Sequence, residues 1–290
     1  MNAYTIADIA RKYVDYDMIQ SYTELPVYPD SRTRLLFAFL ANPSMPNPHS
    51  ELYALVTSLV QLGMDIHDRI DNETGPRSER EMRSRQLKVL AGDYYSSRFF
   101  HLLAQAGQVH MIRLLSEGVC EVNRLKIDFY MRMRQRKLTA DQYWSERVGI
   151  ATELFGVFTG ILDDKSAGLW AELLQDVGRC EVAVSELSRC GQPELFTESW
   201  GYWHALEAGN GDDRGRLADS SALDPAFVRS LMDRYDIVSL LHEKLTQSAQ
   251  RIQRTAESLD SGSFASELAA IGESFLLPPA PAASVLGERR

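Results

Sequence analysis

Residues 59–72, LVQLGMDIHDRIDN, and residues 89–95, VLAGDYY, decide how this chain folds. Upstream of the first run, Leu52, Leu55, Leu59, Gly63, Ile66 and Ile70 recur at three- and four-residue intervals, so one face of a helix opened by Ser50 is apolar. That helix ends in His67-Asp68. Gly75-Pro76 breaks the pattern. A second helix then begins near Met82 and carries RQLKVLAGDYYSSRFFHLLAQAG at 85–107. Its Ala91-Gly92 pair is a small-residue position where two helices can approach closely.

Working outward, the same periodicity covers nearly everything, and no alternating strand pattern bounded by hairpin turns occurs. Toward the N-terminus, a helix is expected over about Ile6–Tyr22. Ser31 is placed to cap a short one containing LLFAFLA, between the loops ELPVYPD and PSMPNPHS. Toward the C-terminus, Ile112, Leu115, Val119, Val122, Leu125 and Phe129 mark a long core helix over 109–133. Thr139-x-x-Gln142 is a capping box for the next helix, through about Leu162. Helices are further expected at 168–188, 193–208 and 263–276, with GNGDDRGRLADSS (209–221) as a loop. Asp224-Pro225 launches a long helix through roughly Leu259. The expectation is an all-α domain of nine or ten helices over residues 1–277. The tail 278–290 has too little apolar content to offset its ordering entropy.

Forty acidic against thirty-one basic residues give a net charge of −9, which argues against nucleic acid or anionic lipid as the main partner. Cys120, Cys180 and Cys190 form no CxxC pair, so free thiols in a reducing cytoplasm are expected. The opening MNAYTIADIARKY carries Asp8, Arg11 and Lys12 inside its apolar pattern and lacks a signal-peptide core. The longest apolar stretch, 148–162, contains Glu153 and is too short to span a bilayer. His101, His110, His204 and His242 show no metalloprotease spacing, and no P-loop, GxGxxG or GxSxG occurs.

The two opening runs resemble trans-prenyl diphosphate synthases, whose apolar helix ends in HDDxxD and whose next helix carries LAGD. His67 and Asp68 match, Arg69 stands in place of the second aspartate, and Asn72 in place of the third. This pattern resembles the heptaprenyl (or hexaprenyl) diphosphate synthase component 1 family, the small non-catalytic subunit of a two-component enzyme. The resemblance covers residues 30–135 and implies a degenerate isoprenoid-synthase fold. It implies a separate catalytic component 2 that carries the intact aspartate motifs and Mg2+ and elongates an allylic diphosphate with isopentenyl diphosphate. It further implies a heptaprenyl product for the menaquinone side chain, in the cytoplasm.

The same comparison locates the candidate site. Magnesium takes carboxylate oxygens, and two carboxylates four residues apart on one helix face can share it. Asp68 keeps one arm, Asn72 offers a neutral amide, Arg69 adds a cation, and Asp71 lies three residues from Asp68. A salt bridge among Asp68, Arg69 and Asp71 is the simpler reading, and this chain is expected to hold no metal. In DSRTRLLFAFL (30–40), Arg32 and Arg34 match the family's arginines for an incoming diphosphate, while Ser31 and Leu35 replace its lysine and proline. Gln61 takes the place of a diphosphate-binding histidine. Ser185-Glu186 aligns weakly with the second aspartate motif. Each lost charge-stabilising group costs roughly 10²–10³ in rate, so several losses leave no useful activity. Gly92, Asp93, Tyr94, Tyr95 and Phe99 are the candidates for a helix contact, partner interface or product tunnel. Tyr94 and Tyr95 cannot point both rings one way on a helix. Two other readings stay open: a self-sufficient enzyme using Asp68, Asp71 and Asp163-Asp164, and a helical adaptor with no isoprenoid role.

Overall fold

The computed structural model describes residues 4–42, 46–70, 75–219, 223–260 and 262–277. Among these the chain is all-helical, with thirteen α-helices, two short 3-10 turns and no strand. The tail 278–290 lies outside the described residues. Two compact units form, one from Met1–Lys137 with Glu146–Gln175 and the other from Leu138–Ser145 with Asp176–Arg290.

The first unit holds α1 (Ile6–Val14), α2 (Asp17–Tyr22), α3 (Asp30–Leu40), α4 (Ser50–His67), α5 (Glu79–Gln105) and α6 (Val109–Arg134). It also takes most of α7 (Ala140–Gly156), the 3-10 turn Val157–Ile161 and the start of α8 (Asp164–Cys190). The second unit takes the remainders of α7 and α8. It adds α9 (Trp200–Ala208), α10 (Gly211–Asp219), α11 (Pro225–Arg234), α12 (Ile237–Ser258) and α13 (Ser263–Leu276).

The count is thirteen α-helices rather than nine or ten because three expected elements resolve differently. The helix over 6–22 breaks at Asp15-Tyr16 into α1 and α2. The helix from Pro225 breaks at Asp236, whose φ of 50° is left-handed, a conformation that Asp tolerates better than most residues. The stretch 209–221, expected as a loop, holds α10. Asn210 Oδ1 accepts from the Asp213 N–H at 2.8 Å, and buried Asp213 accepts from the Tyr235 hydroxyl at 2.6 Å. These contacts outweigh the weak helix propensity of its glycines. Helix α3 begins at Asp30, so Ser31 lies within it rather than capping it. Helix α5 begins at Glu79, ahead of Met82, because Ser78 and Glu81 form a capping box.

Helix α4 is the axis of the first unit, buried continuously from Tyr53 to Met64. Its polar members are satisfied inside the helix: the Thr57 and Ser58 hydroxyls donate to the Tyr53 and Leu55 carbonyls at 2.7 Å each. Against it lies α5, and two glycines set their separation. A Cβ at Gly63 would sit 2.8 Å from the Gly92 carbonyl oxygen, and one at Gly92 would sit 2.6 Å from His67 Nε2. Leu62, Ile66, Ala91 and Tyr95 fill the crossing on either side. Replacing Gly63 by Leu drives a side chain into backbone and should cost about 3 kcal/mol in urea unfolding, as overpacking does. Gly149→Ala, with open space around the position, should instead gain about 0.5–1 kcal/mol.

Candidate functional site

The C-terminal end of α4 carries His67 and Asp68, with Arg69 following, and each is engaged by the first unit's own groups. His67 Nε2 lies 3.2 Å from Asp93 Oδ1, over Gly92. Asp68 Oδ2 lies 2.7 Å from the Lys126 ammonium of α6. Arg69 donates to the Leu25 carbonyl at 3.3 Å, and its own carbonyl accepts from Lys88 of α5 at 3.3 Å. Asp71 and Asn72 lie outside the described residues. Among those described, no three His, Cys, Asp or Glu side chains converge as a metal-ligand set. Asp68 faces an ammonium instead of a second carboxylate. The described donors around it therefore do not fit a magnesium ion.

The matched arginines sit apart from this end. Arg32 is buried, donates to Gln61 Oε1 at 3.3 Å and to the Ala151 carbonyl, and lies over the Phe155 ring at 5.1 Å. Arg34 is half-buried, its guanidinium 5.5 Å from the centre of the Tyr4 ring. Gln61 Nε2 in turn donates to Asp65 Oδ1 at 2.8 Å. Burial pushes the Asp65 carboxyl above its usual value, against the opposing pull of Arg32 and Lys126. A polar seam therefore runs from Arg32 through Gln61 to Asp65 inside the first unit.

Asp65 and Lys126 did not stand out in the sequence. Gln61 and Asp65 are four residues apart on one helix face, a signal that was available. Lys126 is fixed by a contact between distant segments that no local pattern announces. Of the candidates on α5, Gly92 and Tyr95 are buried, and the Tyr95 hydroxyl donates to the Val14 carbonyl at 3.1 Å. Tyr94 is half-buried and meets Tyr16, hydroxyl to hydroxyl at 2.6 Å. Phe99 is half-buried beside the exposed Phe100. The two tyrosine rings thus part, as their adjacent positions require.

In the second unit, Glu186 is fully buried, accepting from the Tyr143 hydroxyl at 3.0 Å and from the Trp200 N–H at 2.7 Å. That carboxylate serves the first turn of α9. In the first unit, Asp163 accepts from the N–H groups of Lys165 and Ser166 at 3.1 and 3.0 Å, at the start of α8.

The family described as heptaprenyl diphosphate synthase (HEPPP synthase) subunit 1 matches residues 16–177. The chain belongs to this family. Among curated relatives, heptaprenyl diphosphate synthase component 1 of Geobacillus stearothermophilus is 34% identical over 87 residues, which is 30% of this chain. That match spans 37% of the relative's length. Among solved structures, a geranylgeranyl pyrophosphate synthase from Lactobacillus brevis superposes with a TM-score of 0.69 at 15% identity, covering 94% of each chain. A decaprenyl diphosphate synthase from Rhodobacter capsulatus gives 0.67 at 14%, again with 94% of each chain covered. A heptaprenyl diphosphate synthase from Staphylococcus aureus gives 0.66 at 11%, with 93% of this chain and 95% of that one covered. At these identities the likeness establishes the polyprenyl synthase fold. No described helix is long and apolar enough to cross a membrane.

The seam yields a pH test on this subunit 1 family member. A carboxyl whose folded pKa exceeds its unfolded value binds more protons when folded, so its contribution falls as pH rises through the interval starting near 3.8. Asp65→Asn should therefore be at least as stable as the parent at pH 7. Its advantage should shrink as pH falls toward 4, read from urea midpoints across the range.

Proposed function

We propose that this chain is the non-catalytic subunit of a two-component heptaprenyl diphosphate synthase and works only when joined to a catalytic subunit. The observation that carries this reading is Asp68: at the family's metal-motif position its carboxylate is held 2.7 Å from Lys126. Arg69 stands where a second carboxylate is expected. In this reading Mg2+ and both working aspartate motifs come from the partner, which joins isopentenyl units onto an allylic diphosphate. The family description supports the heptaprenyl product, and the proposal takes that product as a menaquinone side chain made in the cytoplasm. Within the first unit, Arg32 is assigned a structural part, since its burial and its contacts with Gln61 and Ala151 tie α3 to α4 and α7.

Exposed apolar side chains on α5 and α6 support pairing through these helices. Leu90 is 62% exposed, Phe100 57%, Val109 71% and Ile127 63%. Burial of these side chains against a partner would remove apolar surface from water.

Prenyl transfer from farnesyl and isopentenyl diphosphates should be measured with this chain alone, the catalytic subunit alone and the mixture. Activity is expected in the mixture only, at least about 10²-fold above either component. Turnover by this chain alone would restore the reading of a self-sufficient enzyme. A mixture no better than the catalytic subunit would favour an adaptor outside isoprenoid synthesis.

A further inference from the structure

The charge on this acidic chain is unevenly distributed. Residues 77–90 and 124–137 together carry eleven basic residues against three acidic ones, leaving twenty basic against thirty-seven acidic in the rest. Both segments belong to the first unit, one at the start of α5 and the other at the end of α6 with the residues after it. The two residues that follow α4 contact both segments: Lys88 of α5 reaches the Arg69 carbonyl, and Lys126 of α6 reaches the Asp68 carboxylate. Local pairs absorb part of the charge, with Glu79 on Arg83, Glu121 and Asp128 on Arg124, and Glu146 on Arg132. Counting those acids and Asp68 still leaves the end of the hairpin positive. Arg80, Arg85, Arg134 and Lys137 are exposed there.

Apolar side chains stand between these cations. Met82 is 50% exposed, Tyr130 50% and Met131 50%. Methionine and tyrosine are enriched in protein interfaces, and the arginines among them can pair with carboxylates through their planar forks. The composition favours a protein surface over a lipid headgroup layer.

We propose that this basic end of α5 and α6 docks an acidic face of the catalytic subunit, and that its charge selects that partner over a second copy of this chain. The proposal rests on the two-subunit reading above and deepens it. Opposite charges steer the two subunits together, while like charges set end to end across a symmetric self-pair would repel. The apolar residues between the arginines then exclude water from the ion pairs.

The test measures binding of the full chain to the catalytic subunit by surface plasmon resonance, with prenyl transfer in parallel, at rising KCl. The parent's association should slow at least about tenfold between 50 and 300 mM salt. The triple variant Arg80→Glu, Arg85→Glu, Arg134→Glu should lose at least about 10²-fold in affinity with an unchanged melting temperature. Arg229→Glu on α11, also exposed, should bind as the parent does. A complex that forms and turns over but ignores both salt and the triple variant would overturn the proposal and leave the two-subunit reading standing. No complex with the parent would overturn both. Self-association of the parent that the triple variant abolishes would assign the surface to a second copy. Charge-dependent pelleting with phosphatidylglycerol vesicles, with subunit binding unaffected by the variant, would assign it to lipid; either result overturns the proposal.

Discussion

The close approach of α4 and α5 at Gly63 and Gly92 is the constraint on which the first unit depends. With no side chain at either position, backbone meets backbone at Gly63 and the His67 ring settles on Gly92. The crossing fixes the end of α4, and with it the place where Asp68 meets Lys126 and Arg69 meets Lys88. The runs LVQLGMDIHDRIDN and VLAGDYY are the sequence record of this one contact. The crossing is built from Gly63, Gly92, Leu62, Ile66, Ala91 and Tyr95.

Magnitudes show which change matters. Asp68 and Lys126 are partly exposed, with side-chain exposures of 52% and 23%. Such a pair contributes about 0–1 kcal/mol, too little to hold the fold or by itself to exclude a divalent ion. On the proposed reading the positions that count are Arg69 and Asn72, because a magnesium site needs several hard anionic oxygens at once. Lys126 on Asp68 and Arg69 beside it add positive charge at this end of α4. Arg32 is buried, with contacts to Gln61 and Ala151.

Much of this was legible in the sequence, and the exceptions have identifiable causes. The all-α class, the extents of α6 and α13 and the capping box of Thr139 with Gln142 follow from local periodicity and cap chemistry. Helix α10 was hidden because tertiary contacts to Asp213 hold a glycine-containing segment that propensity alone reads as loop. The break at Asp236 was hidden because no glycine or proline marks it. At the site, the substitutions at Arg69 and Asn72 could be read directly. Lys126 as partner of Asp68 could not, since the two are brought together only by packing of α4 and α6.

On the proposed reading, this end of α4 packs against α5 and α6 and holds no metal ion. Titrating Mg2+ with farnesyl diphosphate into the purified chain alone, followed by calorimetry and melting temperature, tests it most directly. No saturable heat and no shift in melting temperature are expected at millimolar Mg2+ on this reading. Saturable, Mg2+-dependent diphosphate binding that disappears in Asp68→Ala would contradict it.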